Sequence, residues 1–404
     1  MTNMKATEMV IYMTSIKKTI LTMQGFYLLT FFAVGSMMPL LSVYLSEAEN
    51  LNGYQIGIIM SINPVVMIFF QPLWGMISDK TNSPIKILTF TTFIAGTLAL
   101  GYLAFSGYSA IFFIAVLVAI FQSAIIPVSD SISISYTSKV QYNYGNIRLF
   151  GSLGFGLAVF IMGRLSEWNN QVIFISFFLA LVLASILAWR MPSEKKKQKP
   201  NLLLGVKDIL TMKKFLLFLL VTFLIFGPNL ANNTYFGLFI EGSGGTYTGI
   251  GVAFLIAVLS EAPFMKAANG LIQRLGLLNI MLLASCVSLI RWVLYFTEPS
   301  LWIVYSTAVF QGISIGLFIP AALQYLREIT PTHITATAIT LYSAIGNGLG
   351  NWFCTFFGGI IFEEFSIFHV YLFYAILAAL GVILTISLIQ MQKTEQKKSI
   401  ATTG

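Results

Sequence analysis

Long apolar runs, separated by short polar or basic segments, recur along the whole chain. A membrane-spanning helix needs ~20 mainly apolar residues. On that measure the pattern predicts twelve spans, at 19–45, 55–77, 86–106, 109–135, 146–166, 171–191, 214–240, 247–268, 277–297, 300–325, 335–361 and 367–391. The first run is too long for a cleavable leader and no small-residue cleavage site closes it, so it reads as the first span.

One interruption is longer than the rest. "RMPSEKKKQKPNLLLGVKDILTMKK", Arg190 to Lys214, is basic and holds two prolines near the middle of the chain. It predicts a first six-helix bundle over 1–190, a cytoplasmic basic linker over 191–213 and a second six-helix bundle over 214–404. Short motifs recur across it. "AIFQS" (Ala119–Ser123) returns as "AVFQG" (Ala308–Gly312), "IIPVS" before Asp130 as "FIPAA" (Phe318–Ala322), and "GMISDK" (Gly75–Lys80) as "GLIQRLG" (Gly270–Gly276). Each match is weak alone, but the offset is about 190–195 residues each time. Together they predict a six-helix unit duplicated in parallel, the repeat pattern of a large transporter fold.

Composition supports the bilayer as solvent. Hydrophobic residues make up 57% of the 404 and charged residues 9%, where a soluble chain is about a quarter charged. The net charge of +8 is not a nucleic-acid patch, because the basic residues sit between the spans. With the N-terminus inside, the inside segments hold Lys5, Lys17, Lys18, Lys80, Lys86, Lys139, the linker cluster, Lys266, Arg274, Arg327, Lys393, Lys397 and Lys398. The outside segments hold Arg164 with Glu47, Glu49, Glu167, Glu241, Glu298, Glu363 and Glu364. Positive charge marks the cytoplasmic side, which places both termini in the cytoplasm. Cys286 and Cys354 lie inside apolar runs, so no disulfide framework is expected. His333 and His369 lack metal-ligand spacing, and no metal or other cofactor is expected. The nucleotide-binding loop Gly-x-x-x-x-Gly-Lys-Ser/Thr and the hydrolase and redox signatures are absent, so the chain reads as no enzyme and an ion gradient is left as the driving force.

Four charged residues inside predicted spans are not among those assigned to the inside or outside segments: Asp130, Arg148, Glu261 and Arg291. Each costs ~2.5–3.5 kcal/mol at a helix centre and is therefore a functional candidate. The bland alternatives are an arginine reaching for the interface, or charges that pair only to hold helices together. Ser123, Pro127, Asp130, Ser133 and Thr137 fall at three- and four-residue steps and make one polar stripe, expected to line a watery cavity. On the next span Tyr144, Arg148, Ser152 and Phe155 share a face, flanked by Gly151 and Gly154, which allow close helix approach. The seventh span carries "GPNLANNTYFGLF": Gly227-Pro228 is expected to bend or break it, with Asn229, Asn232, Asn233 and Tyr235 following. Those amides suit either a polyfunctional ligand or bonding between helices.

"FQPLWGMISDK" (Phe70–Lys80) resembles the Gly-x-x-x-Asp-Arg/Lys loop signature of the major facilitator superfamily. "MMPLLSVYL" (Met37–Leu45), "NYGNIRLFGS" (Asn143–Ser152), "SEAPF" around Glu261 and "SLIRW" around Arg291 resemble its lactose permease, phenylpropionate permease and nucleoside permease group of proton symporters. The resemblance covers essentially the whole chain. It implies an all-α membrane protein of twelve transmembrane helices in two pseudo-symmetric six-helix bundles around a central cavity. It implies a monomeric, multi-pass permease of the plasma membrane. Three departures from lactose permease count against lactose itself: the tenth span, "GLFIPAALQYL" (Gly316–Leu326), lacks its ionisable cluster, Phe155 stands at its sugar-stacking tryptophan, and Asn146 at its second arginine.

The sequence therefore reads as a proton-coupled importer of a small organic solute: an aromatic acid, a nucleoside or a small saccharide. Arg148, Asp130, Tyr144, Phe155, Asn232, Asn233 and Tyr235 are the candidate substrate residues. Glu261, Asp130 and Arg291 are the candidates for proton coupling, and Gly75, Asp79 and Lys80 for conformational gating. Arg148 beside Asp130 leaves Glu261 as the better proton carrier. A multidrug exporter of the same fold is one alternative, though the fifth span lacks the Gly-Pro pair common in exporters. A membrane sensor that binds solute without moving it is the other.

Overall fold

The computed structural model describes residues 2–192, 211–331 and 334–403, so the predicted linker lies outside the described residues over 193–210. Among the described residues every regular element is a helix. In chain order they are α1 (Thr2–Glu47), α2 (Gly53–Thr81), α3 (Pro84–Ala104), α4 (Tyr108–Lys139), α5 (Tyr144–Ser166) and α6 (Val172–Trp189). There follow α7 (Lys213–Gly242), α8 (Tyr247–Leu275), α9 (Leu277–Phe296), α10 (Leu301–Ile329), α11 and α12 (Ile367–Thr403). Helix α11 has three parts: Thr335–Ser343, a π-helical Ala344–Gly350 and Asn351–Glu364. Eleven of the helices are long and apolar enough to cross a bilayer. The remaining predicted span, 335–361, is α11, which stays helical but changes pitch at its centre.

Local signals set the helix ends. The Asn143 side chain accepts from the Gly145 N–H at 2.8 Å and caps α5, and Pro84 opens α3, where its missing donor does no harm. Gly276 joins α8 directly to α9 at φ +86°, a conformation that disfavours a side chain. Prolines lie inside α4, α7, α8 and α10 at Pro127, Pro228, Pro263 and Pro320. Membrane helices tolerate them because neighbours satisfy the freed carbonyls.

The chain divides into two compact units. The first holds Met1–Tyr44 and Val66–Lys199, the second Leu45–Val65 and Pro200–Gly404. In the first unit α3 packs along α4 and α6; in the second, six helices later, α9 packs along α10 and α12. The motifs repeated between α4 and α10 thus fall on equivalent elements. Also in the second unit, Gly57 meets Gly359, where an added Cβ would stand 2.7 Å from the facing Cα. The Gly53 N–H donates to Glu363 Oε2 at 2.7 Å.

Two helix contacts require glycine and position the site. A Cβ on Gly154 of α5 would collide with the Leu28 carbonyl of α1, and one on Gly151 would reach the Phe31 ring at 2.9 Å. In the second unit a Cβ on Gly227 would stand 2.9 Å from the Gly350 carbonyl, inside the π segment of α11. Helix α7 runs unbroken through Gly227-Pro228. The expected break is absent, and Gly227 serves the close approach of two backbones.

Candidate functional site

The turn between α4 and α5, residues 140–143, brings Asp130 beside Arg148. Three donors converge on Asp130 Oδ1: the Tyr27 hydroxyl at 2.5 Å, the Tyr144 hydroxyl at 2.7 Å and Arg148 Nη1 at 3.3 Å. The Arg148 guanidinium carbon lies 4.7 Å from the centre of the Phe31 ring and 5.8 Å from that of Tyr27, within cation–π reach. The pair is open to a ligand, with the Arg148 side chain 40% exposed and Asp130 31%. Ser152 is exposed, while Phe155 is half-buried with its backbone against Gly35 of α1. One cation, one anion, two phenols and a phenylalanine ring thus face one another within the first unit.

The predicted polar stripe on α4 does not line water as a whole. Ser123, Ser133 and Thr137 are buried. Ser123 Oγ donates to the Ile120 carbonyl and Thr137 Oγ1 to that of Ser133, each at 2.8 Å. Those two hydroxyls, satisfied by their own helix, need no cavity; Ser133 Oγ is buried with no partner among the described residues, and Asp130 alone of the stripe's polar side chains keeps substantial exposure.

A second cluster lies in the second unit. Arg291 on α9 is fully buried. Its guanidinium carbon sits 5.4, 4.9 and 5.1 Å from the ring centres of Phe236, Trp292 and Tyr295. Nη1 donates to Gln311 Oε1 on α10 at 3.2 Å, and Gln311 Nε2 faces Glu261 Oε1 on α8 at 3.5 Å. A direct Glu261–Arg291 ion pair is absent among the described residues: a neutral amide stands between them. Asn232 Nδ2 lies 3.5 Å from the same Gln311 oxygen, and the Tyr371 hydroxyl donates to Asn232 Oδ1 at 3.1 Å.

The α7 candidates separate. Asn232 is fully buried in this network, whereas Asn233 is half-buried. Tyr235 is fully buried, its hydroxyl donating to the Thr355 carbonyl and its ring against Gly358. That geometry is helix packing rather than an accessible ligand surface. Gly75 has open space where a Cβ would be, Asp79 is half-buried and Lys80 exposed at the end of α2. The adjacent Trp74 donates to the Ile120 carbonyl at 2.8 Å, tying α2 to α4.

Sequence reasoning missed Tyr27, Phe31 and Gln311. Gln24, Tyr27, Phe31 and Gly35 fall at three- and four-residue steps, a signal that could have marked one face of α1. Gln311 was in view only as part of the repeated "FQ" pair.

A family model described as the MFS_1 like family matches residues 20–373. The chain belongs to that family, and so to the major facilitator class of membrane transporters. It is 51% identical to the uncharacterised transporter YwbF of Bacillus subtilis, across 92% of this chain and 94% of that protein. It is 47% identical to a maltose permease of Geobacillus stearothermophilus, across 91% and 94% respectively. A crystal structure of a mutant nucleoside transporter NupG superposes with a TM-score of 0.84 at 16% identity, covering 92% of this chain and 99% of that one, a likeness of fold. The protein is a multi-pass secondary transporter and not an enzyme.

Proposed function

We propose that the protein imports a small neutral saccharide together with protons, by alternating access and as a monomer, with both termini in the cytoplasm. The observation that carries this reading is the half-exposed Arg148–Asp130 pair against Phe31 and Tyr27. Adjacent sugar hydroxyls both donate and accept, so they match a guanidinium and a carboxylate held side by side. The ring faces suit the apolar C–H face of a sugar. An aromatic acid fits less well, because its carboxylate would meet Asp130 as well as Arg148. The 47% identity to a protein named maltose permease supports a saccharide over a nucleoside.

Glu261 is the proposed proton carrier. Asp130 Oδ1 is engaged by three donors, whereas Glu261 has one long contact, from Gln311. Glu261 can therefore gain and lose a proton without first breaking a set of short hydrogen bonds. Gly75, Asp79 and Lys80 remain the proposed gating residues.

A solute panel in proteoliposomes, with an imposed inward proton gradient, tests the substrate class. Maltose is expected to accumulate ahead of uridine, with phenylpropionate excluded. Preferential uptake of phenylpropionate would overturn the assignment.

A further inference from the structure

Glu261 and Arg291 of the second unit do not touch, and what separates them is one side chain. Among the described residues Gln311 Oε1 is the hydrogen-bond acceptor for Arg291, whose Nε and Nη2 have none. The other end of the same amide faces Glu261. Arginine can only donate and an ionised carboxylate can only accept, so one orientation of the amide serves both. Through Asn232 and Tyr371 the contacts continue to α7 and α12. The Gln311 amide of α10 thus joins α8, α9 and α7, and the Asn232 amide extends the network to α12.

We propose that Gln311 is the positioning residue of proton coupling: its amide transmits the protonation state of Glu261 to Arg291 and to the helices behind it. The inference rests on the reading of Glu261 as the proton carrier. With Glu261 ionised, Nε2 faces the carboxylate and the amide oxygen is presented to Arg291. With Glu261 protonated, the carboxyl has an O–H to donate, and Gln311 can accept it only by turning its oxygen away from Arg291. A fully buried cation left without an acceptor is costly, so α9 must shift to find another. The contacts at 3.5 Å are long for hydrogen bonds, which makes them the ones that exchange first. Arg291 is the charged group acting on Glu261 from the packed helices, and Tyr295 and Tyr371 are the titratable groups beside Arg291. Protonation on α8 is thereby converted into movement of the helix that carries Arg291.

Trp292, whose ring centre lies 4.9 Å from the Arg291 guanidinium carbon, is a built-in reporter of that movement. The experiment is a pH titration of tryptophan emission on the purified full chain in detergent, with no solute needed. To isolate the signal, the other five of the six tryptophans are replaced by phenylalanine. The expected result is a step in emission with pH that is lost in Glu261→Gln and equally lost in Gln311→Met, a side chain of similar length without the amide. Gln311→Leu is the second variant should Gln311→Met not fold, and thermal unfolding shows which variants are folded. A step that persists in folded Gln311→Met or Gln311→Leu but vanishes in Glu261→Gln overturns the role of Gln311 and leaves Glu261 as the carrier. A step that survives Glu261→Gln, or no step in the parent, overturns both.

Discussion

Arg148 donates one N–H to Asp130 and rests its face on Phe31, which leaves the rest of its planar fork for a ligand. Lysine would keep the charge and lose that fork. Arg148→Lys is expected to weaken saccharide binding ~10-fold or more, the scale of one charge-assisted hydrogen bond at ~1.5–3 kcal/mol, while the protein still inserts and folds. Calorimetry on the purified variant checks this, and parental affinity would make Arg148 a structural cation. For the proposed proton carrier, Glu261→Gln is expected to lose gradient-driven accumulation but keep exchange of labelled for unlabelled maltose. Full accumulation in both Glu261→Gln and Asp130→Asn would remove these acids from coupling. The Asp130–Arg148 pair was legible because opposite charges on helices joined by a short turn, eighteen residues apart, are costly to leave unpaired in apolar spans. Tyr27 and Phe31 were not, because an apolar run holds aromatics on every face and only the fold shows which of them turns inward. Tyr235 shows the converse: a polar residue in such a run can be satisfied by a neighbouring backbone carbonyl.

Helices were the most legible scale, since span length follows from bilayer thickness and apolar runs mark it directly. The pitch of α11 was hidden, because "AIGNGLG" would suit an ordinary helix as well as the π segment it forms. Glycines divide by what surrounds them. Gly154 faces the Leu28 carbonyl, so Gly154→Leu is expected to force α5 from α1. Overpacking of this kind costs ~1–3 kcal/mol or more, read as a lower unfolding temperature in detergent. Gly75 meets nothing within 4 Å. Gly75→Ala is therefore expected to leave unfolding unchanged while slowing transport through the proposed gating motif. Equal stability of parent and Gly154→Leu, or a marked loss in Gly75→Ala, would contradict this reading of the two helices.

At the scale of the molecule, duplication was visible in the sequence as three faint motif matches, and the structure places the two shared by α4 and α10 on equivalently packed elements of the two units. Charge bias carries the topology: basic residues crowd one set of inter-helix segments and glutamates the other. Protease added to right-side-out cells is expected to leave the Arg190–Lys214 segment intact, and cleavage there from outside would invert the orientation. The measurement that tests proton-coupled saccharide import most directly is a pH electrode in a lightly buffered suspension of cells that express the protein. On addition of maltose the medium should turn transiently alkaline as protons enter with the sugar, and the response should vanish in Glu261→Gln. Maltose entry without alkalinisation, or with acidification, would contradict the account.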